Sequence, residues 1–141
     1  MSEQTYFEDV AEGDEIPALE KEPSTQQLVQ WAAGSGDFYQ IHYDTAFAQN
    51  TGLDGIIVHG ALKHAWLGEL LHRFASPGGR VRRVACSYRG MDVPAQTYRL
   101  RGTVTKKSAA ERTVELSIWG ENESGQKTTP GTGVVELPSR A

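Results

Sequence analysis

At 141 residues the chain fits one domain with little room for a second, so it reads as a single domain over residues 1–141. Hydrophobic residues at 38% and charged residues at 23% exclude a disordered chain, and a net charge of −4 excludes an overall basic footprint for nucleic acid. A lone cysteine, Cys86, rules out an internal disulfide and a thiolate metal cluster.

The opening segment MSEQTYFEDV is acidic and polar, unlike a secretory signal, and no apolar run approaches the roughly 20 residues of a membrane helix. A soluble cytoplasmic protein with no membrane partner is expected. Gly13-Asp14 is a turn signal, and EIPALEKE reads as an extended opening strand. Ser24 followed by Gln27 is a capping-box pattern. Leu28, Trp31 and Ala32 then lie at helical spacing, and Gly34 is the expected end of that helix.

The connection that follows, SGDFYQIHYD from Ser35 to Asp44, is crowded with proton-handling groups. Asp44 is placed to cap a short helix through TAFAQN, closed by Gly52. Beyond the loop TGLDG, the segment VHGALKHAWLGELLHRFA, Val58 to Ala75, gives the strongest helical pattern. Ala61, Leu62, Ala65, Trp66, Leu67, Leu70, Leu71 and Phe74 fall on almost every side of its wheel, which predicts a mostly buried helix. Pro77-Gly78-Gly79 terminates it.

From there the period changes to two. Val84, Cys86 and Tyr88, then Tyr98 to Thr105, then Thr113 to Ile118, then Val134 to Leu137 alternate as half-buried strands. Their connections, GMDVPAQ, KKSAAE and NESGQK, are short and turn-like, which favours antiparallel neighbours. The predicted class is α+β, an antiparallel sheet wrapped around one long central helix. Its exposed edge needs cover, so a dimer is expected. Cys86 is expected in the core. Arg80, Arg82, Arg83 and Arg89 form a local basic group that fits a solvated strand face or a contact for ligand phosphates or an acidic carrier protein.

Asp37 and His42 can converge within one loop. A carboxylate orients a water and an imidazole exchanges a proton near neutral pH, although the same pair also fits a turn aspartate beside a surface histidine. The stretch GIIVHGAL, Gly55 to Leu62, puts Gly60 at the start of the long helix. The first N–H groups there lack partners inside the helix and carry the positive end of its dipole. A glycine at that point admits a ligand carbonyl, and equally suits a tight turn into the helix. His59 and His64 lack the HExxH spacing of a zinc pair, and His64 and His72 read as polar edges of the helix. No GxSxG, GxGxxG or GxxxxGK[ST] occurs.

Together SGDFYQIHYD and GIIVHGAL resemble the MaoC-like hydratase/dehydratases, a family that includes the (R)-specific enoyl-CoA hydratases and 3-hydroxyacyl dehydratases. The resemblance is specific over the motif-bearing half and rests on pattern alone in the C-terminal strands. It implies a hotdog fold. It matches Asp37 and His42 to the catalytic pair and Gly60 to the backbone amide that polarises a thioester carbonyl. His59 and Tyr39 are the accompanying substrate-binding positions. The implied reaction interconverts trans-2-enoyl and (R)-3-hydroxyacyl thioesters carried on coenzyme A or acyl carrier protein. No metal or redox cofactor is implied, and the expected partner is a second copy or a related subunit. Two departures stand out: Tyr39-Gln40 occupies the place of the family's Asn-Pro, and Ala61 that of the methionine often found after His-Gly. Two other readings remain: a hotdog thioesterase, for which Glu69 is the only carboxylate on the long helix, and a non-catalytic subunit shaping a partner's acyl tunnel.

Overall fold

The computed structural model describes residues 3–140. Ser24 opens the first long helix: its Oγ accepts the Gln27 N–H at 3.1 Å, and α1 runs Thr25–Ser35. The left-handed residue that ends α1 is Gly36 at φ +80°, not the expected Gly34. Ser35 explains the difference. Its hydroxyl donates to the Trp31 carbonyl at 2.6 Å and holds the chain in the helix past Gly34, and the Gly36 N–H then closes onto the Ala32 carbonyl at 2.9 Å. Asp44 caps α2, Thr45–Asn50, by accepting the Phe47 N–H at 3.0 Å.

The long helix α3 spans Gly60–Ala75 and begins later than the periodicity suggests. The delay is imposed from outside the segment. The Ile57 N–H donates to the Ile41 carbonyl at 3.1 Å and the Val58 N–H to the Asp92 carbonyl at 2.8 Å, which keeps the chain out of the helix until His59. Leu62, Trp66, Leu67, Leu70 and Leu71 are buried, while Ala61, Ala65, His72 and Arg73 are exposed. The helix is therefore buried on one side rather than all round, because the sheet covers only that side and the alanines bring little apolar area to hide. Each fully buried leucine contributes about 2 kcal/mol.

Five strands form one antiparallel sheet: β1 Leu19–Lys21, β2 Arg80–Cys86, β3 Tyr98–Ser108, β4 Thr113–Glu121 and β5 Lys127–Glu136, in the order β1-β3-β4-β5-β2. Helix α3 packs against β2, β3, β4 and β5, and the core lies between it and the sheet. Leu100, Val104, Leu116, Ile118 and Val135 supply the sheet's inner face. This is the hotdog arrangement, α+β, with the sheet curled around one helix. Strands β1 and β2 are its edges. Cys86, expected in the core, is half-buried because it ends the edge strand β2; burial pushes its thiol up from the ordinary value. Arg80 and Arg82 both pair with Glu136 on the neighbouring strand, so one carboxylate is shared by two members of the basic group across β2 and β5. Among the described residues, no helix is long and apolar enough to cross a membrane.

Candidate active site

The loop between α1 and α2 is stapled by its own polar groups. The Asp37 N–H donates to Ser35 Oγ at 3.2 Å, the Tyr39 N–H to Asp37 Oδ1 at 3.3 Å, and the Tyr43 hydroxyl to the Phe38 carbonyl at 2.9 Å. A 3-10 turn over Gln40–His42 then swings the His42 ring inward, where it is 7% exposed. Tyr43, to which the sequence assigns no role, thus acts as a strut of the loop.

His42 Nδ1 lies 2.8 Å from the Ile57 carbonyl. A carbonyl only accepts, so Nδ1 carries the proton and Nε2 keeps its lone pair. That lone-pair nitrogen is 3.9 Å from Asp37 Oδ2, too far for a direct hydrogen bond and suited to a shared water. Asp37 is half exposed, so the pair is reached from solvent on the carboxylate side. The sequence expectation that Asp37 and His42 converge agrees with this geometry.

His59 completes the group. Its ring is fully buried and stacks on His42 with centroids 3.8 Å apart and planes 20° apart. Its Nε2 donates to the Asp37 carbonyl at 3.3 Å, while its Nδ1 is buried without a partner. Burial first, and then the charge of a protonated His42, hold its pKa below the ordinary 6.5. The linkage follows. As pH falls through 6.5 the unfolded chain takes up this proton before the folded one does. Stability present above 6.5 is therefore lost as pH falls toward the lower folded value. Urea midpoints at about pH 7.5 and about pH 5.5 are expected to drop more in the native protein than in His59→Gln. An equal drop in both would remove His59 from the acid sensitivity.

Donor atoms of Asp37, His42 and His59 lie within 4.8 Å of one another, close enough to consider one shared metal ion. The stacking works against it. Nearly parallel rings hold their lone pairs in parallel planes instead of aiming them at one point, and one nitrogen of each ring already sits on a carbonyl. The group suits a held water better than a coordination shell.

Gly60 is the first residue of α3, as expected, so its N–H has no acceptor within the helix. The side that the glycine leaves open is covered, however: a Cβ there would lie 3.1 Å from Cζ of Tyr88. Tyr39 is half exposed, with its ring edge-on to His42 at 6.3 Å and to Phe47 at 5.9 Å. It stands edge-on beside the His42 imidazole. A cleft of about 420 Å³ opens beside the loop, lined by Gln27, Gln30, Trp31, Gly34, Ser35 and Leu62.

The sequence reading missed one buried network. Lys63, 2% exposed, donates to Asp92 Oδ2 at 2.8 Å and to the Gly90 carbonyl at 3.0 Å. Thr128 donates to the same carboxylate oxygen at 2.7 Å. Beside it the Tyr98 hydroxyl donates to Thr129 Oγ1 at 2.7 Å, and burial pushes that phenol up to about 12. The network ties the loop carrying Gly90 and Asp92 to the first turns of α3. Its signal was Lys63 itself, a lysine among the apolar positions of a helix taken as buried, where an ammonium needs a carboxylate.

The MaoC like domain matches residues 9–122. The fatty acid synthase beta subunit TOXC of Cochliobolus carbonum is 36% identical in an alignment that covers 76% of this chain and 6% of that protein. The chain therefore spans a small part of the length of that relative. Among solved structures, the (R)-hydratase from A. caviae involved in PHA biosynthesis is 25% identical with a TM-score of 0.85, over 92% of this chain and 98% of that one. R-hydratase PhaJ1 from Pseudomonas aeruginosa shares the fold at 19% identity and a TM-score of 0.86, over 96% and 86%. The ChsH1-ChsH2 complex from Mycobacterium tuberculosis shares it at 18% and 0.81, over 90% and 98%.

Proposed function

The chain belongs to the MaoC-like dehydratase family, and from that premise we propose that it is a hydro-lyase interconverting trans-2-enoyl and (R)-3-hydroxyacyl thioesters. The observation that carries this reading is the gap between Asp37 Oδ2 and the unprotonated Nε2 of His42, 3.9 Å wide and facing solvent, beside the free N–H end of α3. In hydration, Asp37 accepts a hydrogen bond from the water and aligns it. His42 Nε2 takes the other proton as the water oxygen bonds to C3 of the enoyl group. The C2–C3 electron pair moves toward the thioester carbonyl, whose developing negative charge is met by the Gly60 N–H and the positive end of α3. The proton held at Nε2 is then delivered to C2, so one water is added and the base is restored. Dehydration is the reverse.

The addition is redox-neutral and charge is handled by the loop and the helix end, so no cofactor is called for. The (R) configuration matches the (R)-hydratase relative, and the thioester carriers, coenzyme A or acyl carrier protein, are those that the resemblance of SGDFYQIHYD and GIIVHGAL implies. The thioesterase alternative loses support from Glu69. Burial alone would raise its carboxyl, but the ammonium of Lys21, at 2.6 Å, and the guanidinium of Arg73 outweigh that and hold it below the usual range. It is an ion-pair partner well along α3 from Gly60. The test is purified protein with crotonyl-CoA and longer enoyl-CoAs. Loss of conjugated absorbance, no release of free thiol and an (R)-3-hydroxyacyl product are expected. Thiol release without hydration, or the (S) product, would overturn the proposal.

A further inference from the structure

We infer that Tyr88 is a positioning residue for the reaction proposed above, its ring fixing where an acyl thioester meets the first N–H of α3; the inference rests on that reading. Three Tyr88 ring carbons would lie 3.1–3.2 Å from a Cβ on Gly60, inside ordinary contact distance, so the ring occupies the room that the glycine leaves. Its other face is open, for Tyr88 remains 55% exposed. A large ring with one face on the helix start and the other toward solvent forms a flat wall for a ligand arriving at Gly60.

The wall is held from both sides. The Ser87 N–H donates to the Pro130 carbonyl at 2.9 Å and the Arg89 N–H to the Thr128 carbonyl at 2.8 Å. Beyond the tyrosine, Gly90 and Asp92 are fastened to Lys63, which belongs to α3 itself. Ring and helix end are thus joined by a short path through buried polar contacts. The glycine and the ring form one coupled unit, in which a methyl group on Gly60 acts by displacing the ring.

The experiment is a double-mutant cycle read as kcat/KM for crotonyl-CoA hydration. Gly60→Ala and Tyr88→Ala are each expected to lose about tenfold, the first because a displacement of a few tenths of an ångström misaligns the bound thioester. In the Tyr88→Ala background, Gly60→Ala is expected to cost less than about twofold, since nothing is left to displace. Tyr88→Phe restores the ring without the hydroxyl and recovers what Tyr88→Ala loses. If Gly60→Ala costs the same factor with and without the ring, the methyl obstructs substrate directly and the inference fails. It fails equally if Tyr88→Ala turns over at the native rate. Tyr88 is exposed enough for the Ala and Phe comparison to decide the matter even where Gly60→Ala folds poorly. A native protein that hydrates no enoyl-CoA removes the hydratase reading itself, an outcome distinct from a failed cycle.

Discussion

Asp37→Asn and His42→Ala are each expected to lower the hydration rate on the order of 10²-fold or more. The first change is nearly isosteric. The amide oxygen still accepts the Tyr39 N–H that Asp37 Oδ1 now accepts, so the loop keeps its shape while the negative acceptor for the water is lost. The second removes the nitrogen whose free lone pair is fixed by the Ile57 carbonyl. It also leaves that carbonyl without its donor and takes away the ring on which His59 stacks. A stability loss of about 1–3 kcal/mol is expected beside the loss of rate. Thermal midpoints measured with kcat/KM separate the two effects. In the proposed reaction both residues act on one water, so the double variant should be little slower than either single. Near-native turnover in either single variant, folded by its midpoint, would sink the assignment.

Lys63→Met is expected to be the most destabilising single change. Asp92 is 6% exposed, and without Lys63 its carboxylate keeps only the Thr128 hydroxyl among the partners of Oδ2, while Oδ1 is already buried with none. Breaking a buried pair from one side costs about 3–5 kcal/mol, because the remaining charge is stranded. The midpoint should fall by roughly 10 °C or more. Lys63→Met with Asp92→Asn removes both charges and should recover a large part of the loss, since the pair itself contributes little net stability. An unchanged midpoint in Lys63→Met would show that the ammonium is not paired as described. The same variant frees the Gly90 carbonyl and loosens the loop that supplies the Asp92 carbonyl to Val58, so activity should fall even at temperatures where the protein stays folded.

These two predictions stand on opposite sides of what the residues alone reveal. The α1–α2 loop was legible because its determinants are local: Ser24 and Asp44 cap their helices from adjacent positions, and Asp37 and His42 are brought together by one 3-10 turn. The alternation of β3 and β4 was legible for the same reason, whereas Tyr88 and Leu137, read as strand positions, lie just beyond the ends of β2 and β5. The end of α1 was misread by a short distance, because whether the helix stops at Gly34 or Gly36 depends on a Ser35 hydroxyl finding the Trp31 carbonyl. The helical periodicity ran back to Val58, ahead of the Gly60 start read from GIIVHGAL, because carbonyls of Ile41 and Asp92 decide where α3 begins. The Lys63–Asp92 pair and the Tyr88 ring on Gly60 join a helix to a loop beyond the next strand. No periodicity within either segment encodes such a contact. It exists only once the sheet has closed around the helix.

The pairing of Ile57 with the His42 segment has a mechanical consequence. The Ile57 N–H donates to the Ile41 carbonyl and the Ile57 carbonyl accepts from the His42 Nδ1–H, so the two segments are locked by a reciprocal pair of bonds. Ile57 leads into His59 and Gly60 in the same run of chain. The His42 ring and the Gly60 N–H, the base and the carbonyl donor of the proposed reaction, are therefore mounted on a common frame. Asp37 is mounted differently, half exposed at the far end of the loop and reaching His42 only across the 3.9 Å gap. Its carboxylate takes one bond, from the Tyr39 N–H to Oδ1, and leaves Oδ2 on the solvent side. In the proposed reaction an acyl group would enter on the Asp37 side, with the spacing from the His42 ring to the start of α3 set by the scaffold.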